Sequence, residues 1–334
     1  MMDKTKIAVI GLGGVAQLVH LPILSKLNNV EISAVADLNT NHLKTISDKF
    51  NIQKKYTDFR ELLKEVEIDA VIISTPTGTH AEIAAECLKA KKHILIERPI
   101  ARSLSEAKEI NNNAKKYKKI AMVGMNLRYR PDSMLMKSLV SSGELGDIFY
   151  IRCGLLRKQS SQQKWFLNKK LSGGGVIIDL GILILDLSLW IMNDIKIKSV
   201  SVQTYYQNTK DIEDSAVGMI RLQNNQVISF EISWAAHSEA DTLKLTAYGT
   251  KGTAHLNPLR AYKQIGSNRL DYTINTISNP ANLFKKSYEN ELKHFIGAVR
   301  DNNPVISSSE DAVELMKLLE AIYKSAETKK EIGL

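Results

Sequence analysis

Apolar residues in the first third of the chain come in short runs separated by polar, amphipathic stretches. "KIAVIGLG", "VEISAVAD", "DAVIIST", "KHILIE" and "IAMVG" are apolar at successive as well as alternate positions. Strands buried on both faces read this way, whereas one wet face gives strict alternation. Between them, "TNHLKTISDKF", "HAEIAAECLKA" and "SLSEAKEINNNAKKY" space their apolar residues by three and four, the period of a helix with one buried stripe. The polar pair Asn39 and Thr40 opens the first of these, and Ser103 with Glu106 three residues later has the look of a capping box. A further helical pattern runs from Val15 to Leu27. Strands alternating with helices predict a doubly wound parallel sheet.

The pattern changes near Gly124. "RPDSMLMKSLVSSGELG" reads as a helix and a turn, "DIFYIRCGLL" as an alternating strand, and a glycine-started apolar helix covers 175–192. From Ile197 to Leu256 come "IKSVSVQTYY", "DSAVGMIRL", "QVISFEISWA", "TLKLTAYG" and "GTAHL", joined by turns such as "QNNQ" and "GTKG". Short connections suit antiparallel neighbours. Helices near 286–300 and 309–327 close the chain. The expected organisation is a doubly wound domain over residues 1–124 and a second α/β domain over 125–334. The latter has a large, open, mostly antiparallel sheet with helices on one face. Val217, Met219, Ile228 and Phe230 suggest that its other face is partly apolar, so a homodimer or homotetramer through this sheet is expected.

A chain of 334 residues can bury two cores, and 44% hydrophobic with 24% charged residues is ordinary for a globular protein. The formal charge of +9 is spread over both halves. Its densest run, "KKYKK", reads as a solvated helix end, so no nucleic-acid partner is expected. The longest apolar run follows Gly173, and Asp179 and Asp186 within it argue against a membrane span. No signal-peptide pattern precedes "IAVIGLGG", and Cys87 and Cys153 show no metal or redox spacing. A cytoplasmic protein without metal is the expectation.

"GLGGVA" directly follows a strand and opens a helix, the context in which glycine–x–glycine–x–x–alanine binds a dinucleotide. Gly11 allows the tight turn, Gly13 lets the backbone approach a pyrophosphate, and Ala16 lets helix and strand pack closely. The amides of Gly14 and Val15 head the helix, where an anion is favoured. Asp37 ends the second strand, the position from which an acid takes the adenosine ribose hydroxyls. It selects NAD over NADP, since neither Leu38 nor Asn39 could rescue a 2′-phosphate.

These motifs, with "STPTGTH", "KKHILIERPIA", "GMNLRYRPD", "SGELGDI", "GGGVIIDLGILILDLSLW", "SWAAH" and "YGTKGTAHL", resemble the Gfo/Idh/MocA family over nearly the whole chain and in the family's order. The resemblance implies a Rossmann domain followed by an α/β domain with an open sheet. It implies hydride transfer between nicotinamide and a sugar, sugar acid or polyol, and assembly through the sheet. By position it implies that Glu97 lies near the nicotinamide ribose, that Thr75, Pro76 and His80 line the cofactor cleft, and that Asn126, Arg128 and Tyr129 face it from beyond the domain junction. His20 reads as structural. The family's glycine-started helix carries an aspartate and, four residues on, a histidine, with a signature lysine pointing at both. Here Asp179 is kept, Leu183 stands for the histidine and Arg98 for the lysine, while Asp186 is read as structural. Arginine stays protonated and makes a poor base, but it can hold an alkoxide or an anionic substrate. Asp179 is the surviving titratable group, Tyr129 a second possible acid, and His237 a remote source of an imidazole. The sequence thus leaves two readings: an NAD-dependent oxidoreductase with an altered proton-transfer group, or a relative that holds NAD without turnover.

Overall fold

The computed structural model describes residues 4–157, 167–193, 196–237, 240–273 and 281–334. The chain divides into two compact units, residues 1–126 with 288–313, and residues 127–287 with 314–334.

The first unit holds a six-stranded sheet made of β1 (Thr5–Ile10), β2 (Val30–Ala36), β3 (Lys55–Tyr56), β4 (Ala70–Ile73), β5 (His93–Glu97) and β6 (Ala121–Gly124). The order is β3-β2-β1-β4-β5-β6, and every neighbouring pair is parallel. Ile7, Val9, Val71, Ile72, Ile94 and Leu95 are buried within it, as the unbroken apolar runs require. Chain order reverses between β1 and β4, and the crevice beyond the carboxyl ends of such a pair is where open α/β sheets bind ligands. The helix Thr40–Phe50 starts where Asn39 accepts the amides of Asn41 and His42, and Leu104–Tyr117 starts where Ser103 accepts that of Glu106. Late in the chain, Ser307 exchanges hydrogen bonds with the backbone of Val123 and so seats the 302–308 segment on β6.

Among the described residues the second unit has nine strands: β7 (Ile148–Leu156), β8 (Ile197–Tyr205), β9 (Ser215–Leu222), β10 (Val227–Ser233), β11 (Thr242–Gly249), β12 (Gly252–Leu256), β13 (Arg260–Ile265), β14 (Asn268–Asp271) and β15 (Ile332–Gly333). Their order is β14-β13-β12-β11-β7-β10-β9-β8-β15. β7 and β10 run parallel, while their other neighbours, β11 beside β7 and β9 beside β10, are antiparallel. The long helical crossover between β7 and β8 makes that parallel neighbour possible. β3, β13, β14 and β15 go beyond the strands that the sequence pattern predicts.

The register corrects one expectation. Ile228 and Phe230 lie opposite Ile220 and Gly218, and all four share the buried face. A Cβ on Gly218 would come within 2.6 Å of the Phe230 ring, so the glycine makes room for it. Val217 and Met219 lie opposite Glu231 and Ser229 on the other face, where Val217 is 43% exposed. The second face therefore gains no apolar area from Ile228 or Phe230. It carries instead a stacked pair, Tyr150 and Tyr248, with centroids 5.2 Å apart.

The π-helical turn Ile177–Gly181 continues as the helix Ile182–Met192, packed on the inner side of the sheet near Ile232. By length and composition the stretch Lys169–Met192 could cross a membrane, contrary to the expectation that no tract could. However, 94% of its apolar window is buried inside the protein.

Candidate active-site residues

In the first unit, the glycine turn lies against the ends of β2 and β4. Gly11 has φ +91°, and a Cβ there would fall 2.7 Å from the backbone of Ser74 and Thr75. Only glycine fits such a crossing. The Ser74 hydroxyl donates to the Gly11 carbonyl at 2.8 Å and fastens the two loops. At Gly13 and Gly14 a Cβ would meet nothing within 4 Å, and Val15 is 38% exposed, so this helix start is an open backbone surface. Ala16 is buried. It begins a π-helical turn, Ala16–His20. Asp37 faces the same turn: Oδ2 accepts the Leu12 amide at 2.6 Å and Oδ1 that of Asn39 at 2.7 Å.

His80 is almost fully buried, and its ring spans two loops, with Nε2 2.8 Å from the Thr75 carbonyl and Nδ1 2.9 Å from that of Pro99. Burial holds its pKa below the ordinary histidine value, against the pull of those carbonyls. A neutral imidazole has a single N–H, so it donates to one of these carbonyls while the ring lies between the Thr75–Pro76 and Arg98–Pro99 loops. Asn126 is buried at the end of this unit's first segment.

A second cluster surrounds the end of β5. Glu97 Oε1 lies 2.8 Å from Nε2 of fully buried His20, and Tyr288 sets its ring edge-on to that imidazole. Burial raises the Glu97 pKa, but the hydrogen bond and charge of His20, helped by the Arg98 guanidinium, outweigh it and hold the carboxyl below its usual range. Glu291 is 0% exposed, and neither of its oxygens finds a hydrogen-bond partner among the described residues. Burial pushes its pKa well up and the Glu97 charge adds to this, while Arg98 acts the other way. His20 therefore serves Glu97 directly, and Arg98 stands near two carboxyls of its own unit, half-buried Glu97 and buried Glu291.

In the second unit, Asp179 sits in the π-helical turn and is 4% exposed. Its Oδ2 accepts the indole N–H of buried Trp234 at 3.0 Å. Leu183, one turn on, is also buried. Asp186 and Arg128 form a two-point ion pair at 2.6 and 2.8 Å, both almost fully buried, so Asp186 fixes the position of the arginine. Losing one partner of such a pair costs about 3–5 kcal/mol. Tyr129 is 1% exposed, and His237 is exposed.

The glycines before Asp179 have a packing cause. A Cβ on Gly174 would lie 2.0 Å from the Tyr323 hydroxyl, and one on Gly175 2.0 Å from the Glu213 carbonyl. The buried Glu213 carboxyl takes the amides of Gly175 and Ile177 at 3.0 Å and the Tyr323 hydroxyl at 2.9 Å. It occupies the helix start that would otherwise attract an external anion. Burial pushes the Glu213 and Tyr323 pKa values up. Sequence reasoning passed over Trp234, Glu213 and Glu291. Trp234 stands in the quoted "SWAAH", but nothing in one sequence pairs it with Asp179. Among the described residues no cluster of metal-ligating side chains forms, and burial raises the pKa of both cysteine thiols.

The Glu291 environment makes a pH-dependent prediction. Its pKa is raised in the folded protein, so the folded state favours the protonated form. The associated stability is full below the unfolded value and is lost as pH rises towards the folded one. Glu291→Gln should therefore raise the thermal midpoint of the protein near pH 8. The gain should vanish near pH 4, where both states of the parent are protonated. Thermal unfolding followed by circular dichroism across this range measures it; a gain independent of pH would mean that Glu291 does not titrate as argued.

Two family models match the chain: the oxidoreductase family's NAD-binding Rossmann fold over residues 5–125, and its C-terminal alpha/beta domain over residues 137–334. D-glucoside 3-dehydrogenase of Escherichia coli K12 is 26% identical over 347 aligned residues, covering 98% of this chain and 97% of its own length. Myo-inositol 2-dehydrogenase of Thermotoga maritima is 26% identical over 342 residues, covering 98% of each. The crystal structure of an oxidoreductase from Agrobacterium radiobacter in complex with NAD+, L-tartaric acid and magnesium superposes with a TM-score of 0.89, covering 99% and 98% of the two chains at 22% identity, and so shares the fold. With both halves matched in order, the chain belongs to the Gfo/Idh/MocA oxidoreductase family, an NAD-binding Rossmann fold joined to the family's C-terminal α/β domain.

Proposed function

We propose that this oxidoreductase oxidises or reforms a ring hydroxyl of a sugar, sugar acid or polyol, with Asp179 handling the hydroxyl proton. The observation that carries the cofactor half is the Asp37 carboxylate set against the Leu12 amide of an open glycine turn. In this reading Gly11, Gly13, Gly14, Val15 and Ala16 present the backbone to the pyrophosphate, and Asp37 takes the ribose hydroxyls. Thr75, Pro76, Glu97 and Asn126 border the cofactor, and His80 braces that border from behind. The names of the D-glucoside and myo-inositol dehydrogenases support the substrate class.

NAD, when bound, supplies the hydride acceptor. The chain's own task is the proton. Leu183 cannot carry one, and arginine keeps its own at any working pH. Asp179 can take it, and its buried setting and the Trp234 donor give it one defined orientation. Arg98 steadies the alkoxide or an anionic substituent of the substrate, and it also balances the Glu97 charge. Arg128, committed to Asp186, shapes the site rather than reacting, and Tyr129 is a second candidate acid. The outer sheet face with Val217, Met219 and the stacked tyrosines is the surface for a second copy of the chain.

Four outcomes are expected. NAD should bind more tightly than NADP, and Asp37→Ser should weaken NAD about tenfold, close to 1.4 kcal/mol, so narrowing the gap. Equal affinities of the parent for both in calorimetry count against the Asp37 role. With D-glucose, D-gluconate and myo-inositol as probes, Asp179→Asn should lower kcat by about 10²–10⁴ with NAD binding kept. Arg98→Ala should raise KM for the acidic probe more than for NAD. NAD binding with no nicotinamide absorbance change for any probe would favour the alternative, a protein that holds NAD without turnover; Leu183 is the observation behind that reading. Light scattering should show a dimer or tetramer at micromolar concentration, and a monomer would remove the outer sheet face as an interface.

A further inference from the structure

We propose that Trp234 is a positioning residue for Asp179, and that Glu213 and Asp214 hold the two in register. The inference rests on the reading of Asp179 as the proton-transfer group and names what keeps that group aligned.

Asp179 and Trp234 come from different elements, one from the π-helical turn Ile177–Gly181, the other from the residue just after β10. Each is referenced to one of two consecutive residues, Glu213 and Asp214. The Glu213 carbonyl accepts the Val176 amide at 2.9 Å, and its carboxyl accepts those of Gly175 and Ile177 at 3.0 Å. This fixes the start of the helical segment, whose next step is the Asp179 amide on the Gly175 carbonyl at 3.2 Å. The Trp234 amide donates to the Asp214 carbonyl at 2.8 Å. Asp214 is itself tied down, with Oδ2 accepting the Asn208 amide and the Thr209 hydroxyl and Oδ1 accepting the Ser215 hydroxyl. Ser215 and Ser233 join their hydroxyls at 2.8 Å across the strand ends. Tyr323 closes the arrangement on the Glu213 carboxyl at 2.9 Å. Two neighbouring residues thus serve as a common origin for the carboxylate and for the indole that grips it.

The chemistry needs such a grip. A carboxylate on two rotatable bonds can swing its oxygens, and a proton acceptor must meet the hydroxyl at hydrogen-bond distance in a narrow range of angles. An indole has a single N–H donor and no acceptor, so it holds Oδ2 without taking a proton in exchange. Bonds to an ionised acceptor are the stronger kind. Buried at 3% exposure, Trp234 cannot easily turn away. Misplacement of a reacting group by about 1 Å can cost about a hundredfold in rate.

The test uses Trp234→Phe in the full chain, which keeps an aromatic ring and removes the donor. With NAD and D-glucose or myo-inositol, kcat should fall about 10–100-fold. KM for NAD and the thermal midpoint should stay near those of the parent. The second readout needs no turnover. The chain has three tryptophans, so the indole ¹H–¹⁵N resonance of Trp234 is assigned by elimination with Trp165→Phe and Trp190→Phe even where Trp234→Phe fails to fold. That resonance should move in Asp179→Asn. An indole resonance indifferent to Asp179→Asn, or parental kcat in Trp234→Phe beside a dead Asp179→Asn, overturns the proposal. Parental turnover in Asp179→Asn fells the reading beneath it instead. If neither sugar reacts in the parent, the indole readout alone decides whether Trp234 grips Asp179.

Discussion

A carboxylate removed from water must be held by donors, sit beside a cation or take up a proton, and this constraint organises both units of the chain. Each buried or half-buried acid solves it differently. Asp186 has an arginine fork, Asp179 an indole, Glu213 two backbone amides and a tyrosine, and Glu97 an imidazole. Glu291 has no hydrogen-bond partner among the described residues, and the proton is what it keeps. The solution sorts the groups by task. A carboxyl matched at both oxygens by a guanidinium, as Asp186 is, serves as scaffold. Asp179 is held differently, its Oδ2 accepting from a neutral indole rather than from a cation.

The glycine-rich segments look alike in sequence but do opposite things. In "GLGG" the two later glycines face open space, and in "GGG" two are crowded within 2.0 Å of Tyr323 and Glu213. Both arrangements use the missing side chain. The first leaves backbone amides at a helix start for an anion from outside. The second brings a carboxyl of the protein itself onto a helix start and so satisfies it internally. A glycine run before a helix is thus ambiguous until the occupant of the helix N-terminus is known.

The parallel sheet was legible because its strands are unbroken apolar runs and its helices carry start signals at Asn39 and Ser103. β3 and β15 were not legible, since two residues carry no period. The faces of β9 and β10 were misread because the register that pairs Phe230 with Gly218 is a long-range fact. The same limit applies to the candidate site. Asp37 and Asp179 stand in recognisable contexts, whereas Glu291 lies in an amphipathic helix where an acid reads as a surface residue. Glu213 precedes another acid, Asp214, and nothing local says that its side chain turns inward onto Gly175 and Ile177.

Arginine at position 98 gains meaning from the same constraint. Its guanidinium favours the ionised form of both Glu97 and Glu291. A lysine in that position could give up its proton, because burial moves ammonium pKa values readily, and it could then take part in proton transfer. Arginine cannot, so the charge beside Glu97 and Glu291 stays fixed across the working range. In the second unit Asp179 lies beside a donor of another kind, the neutral indole of Trp234. Arg98 and Leu183 are consistent as a pair in these terms. Neither side chain exchanges a proton at working pH, the one because it is aliphatic and the other because a guanidinium keeps its charge.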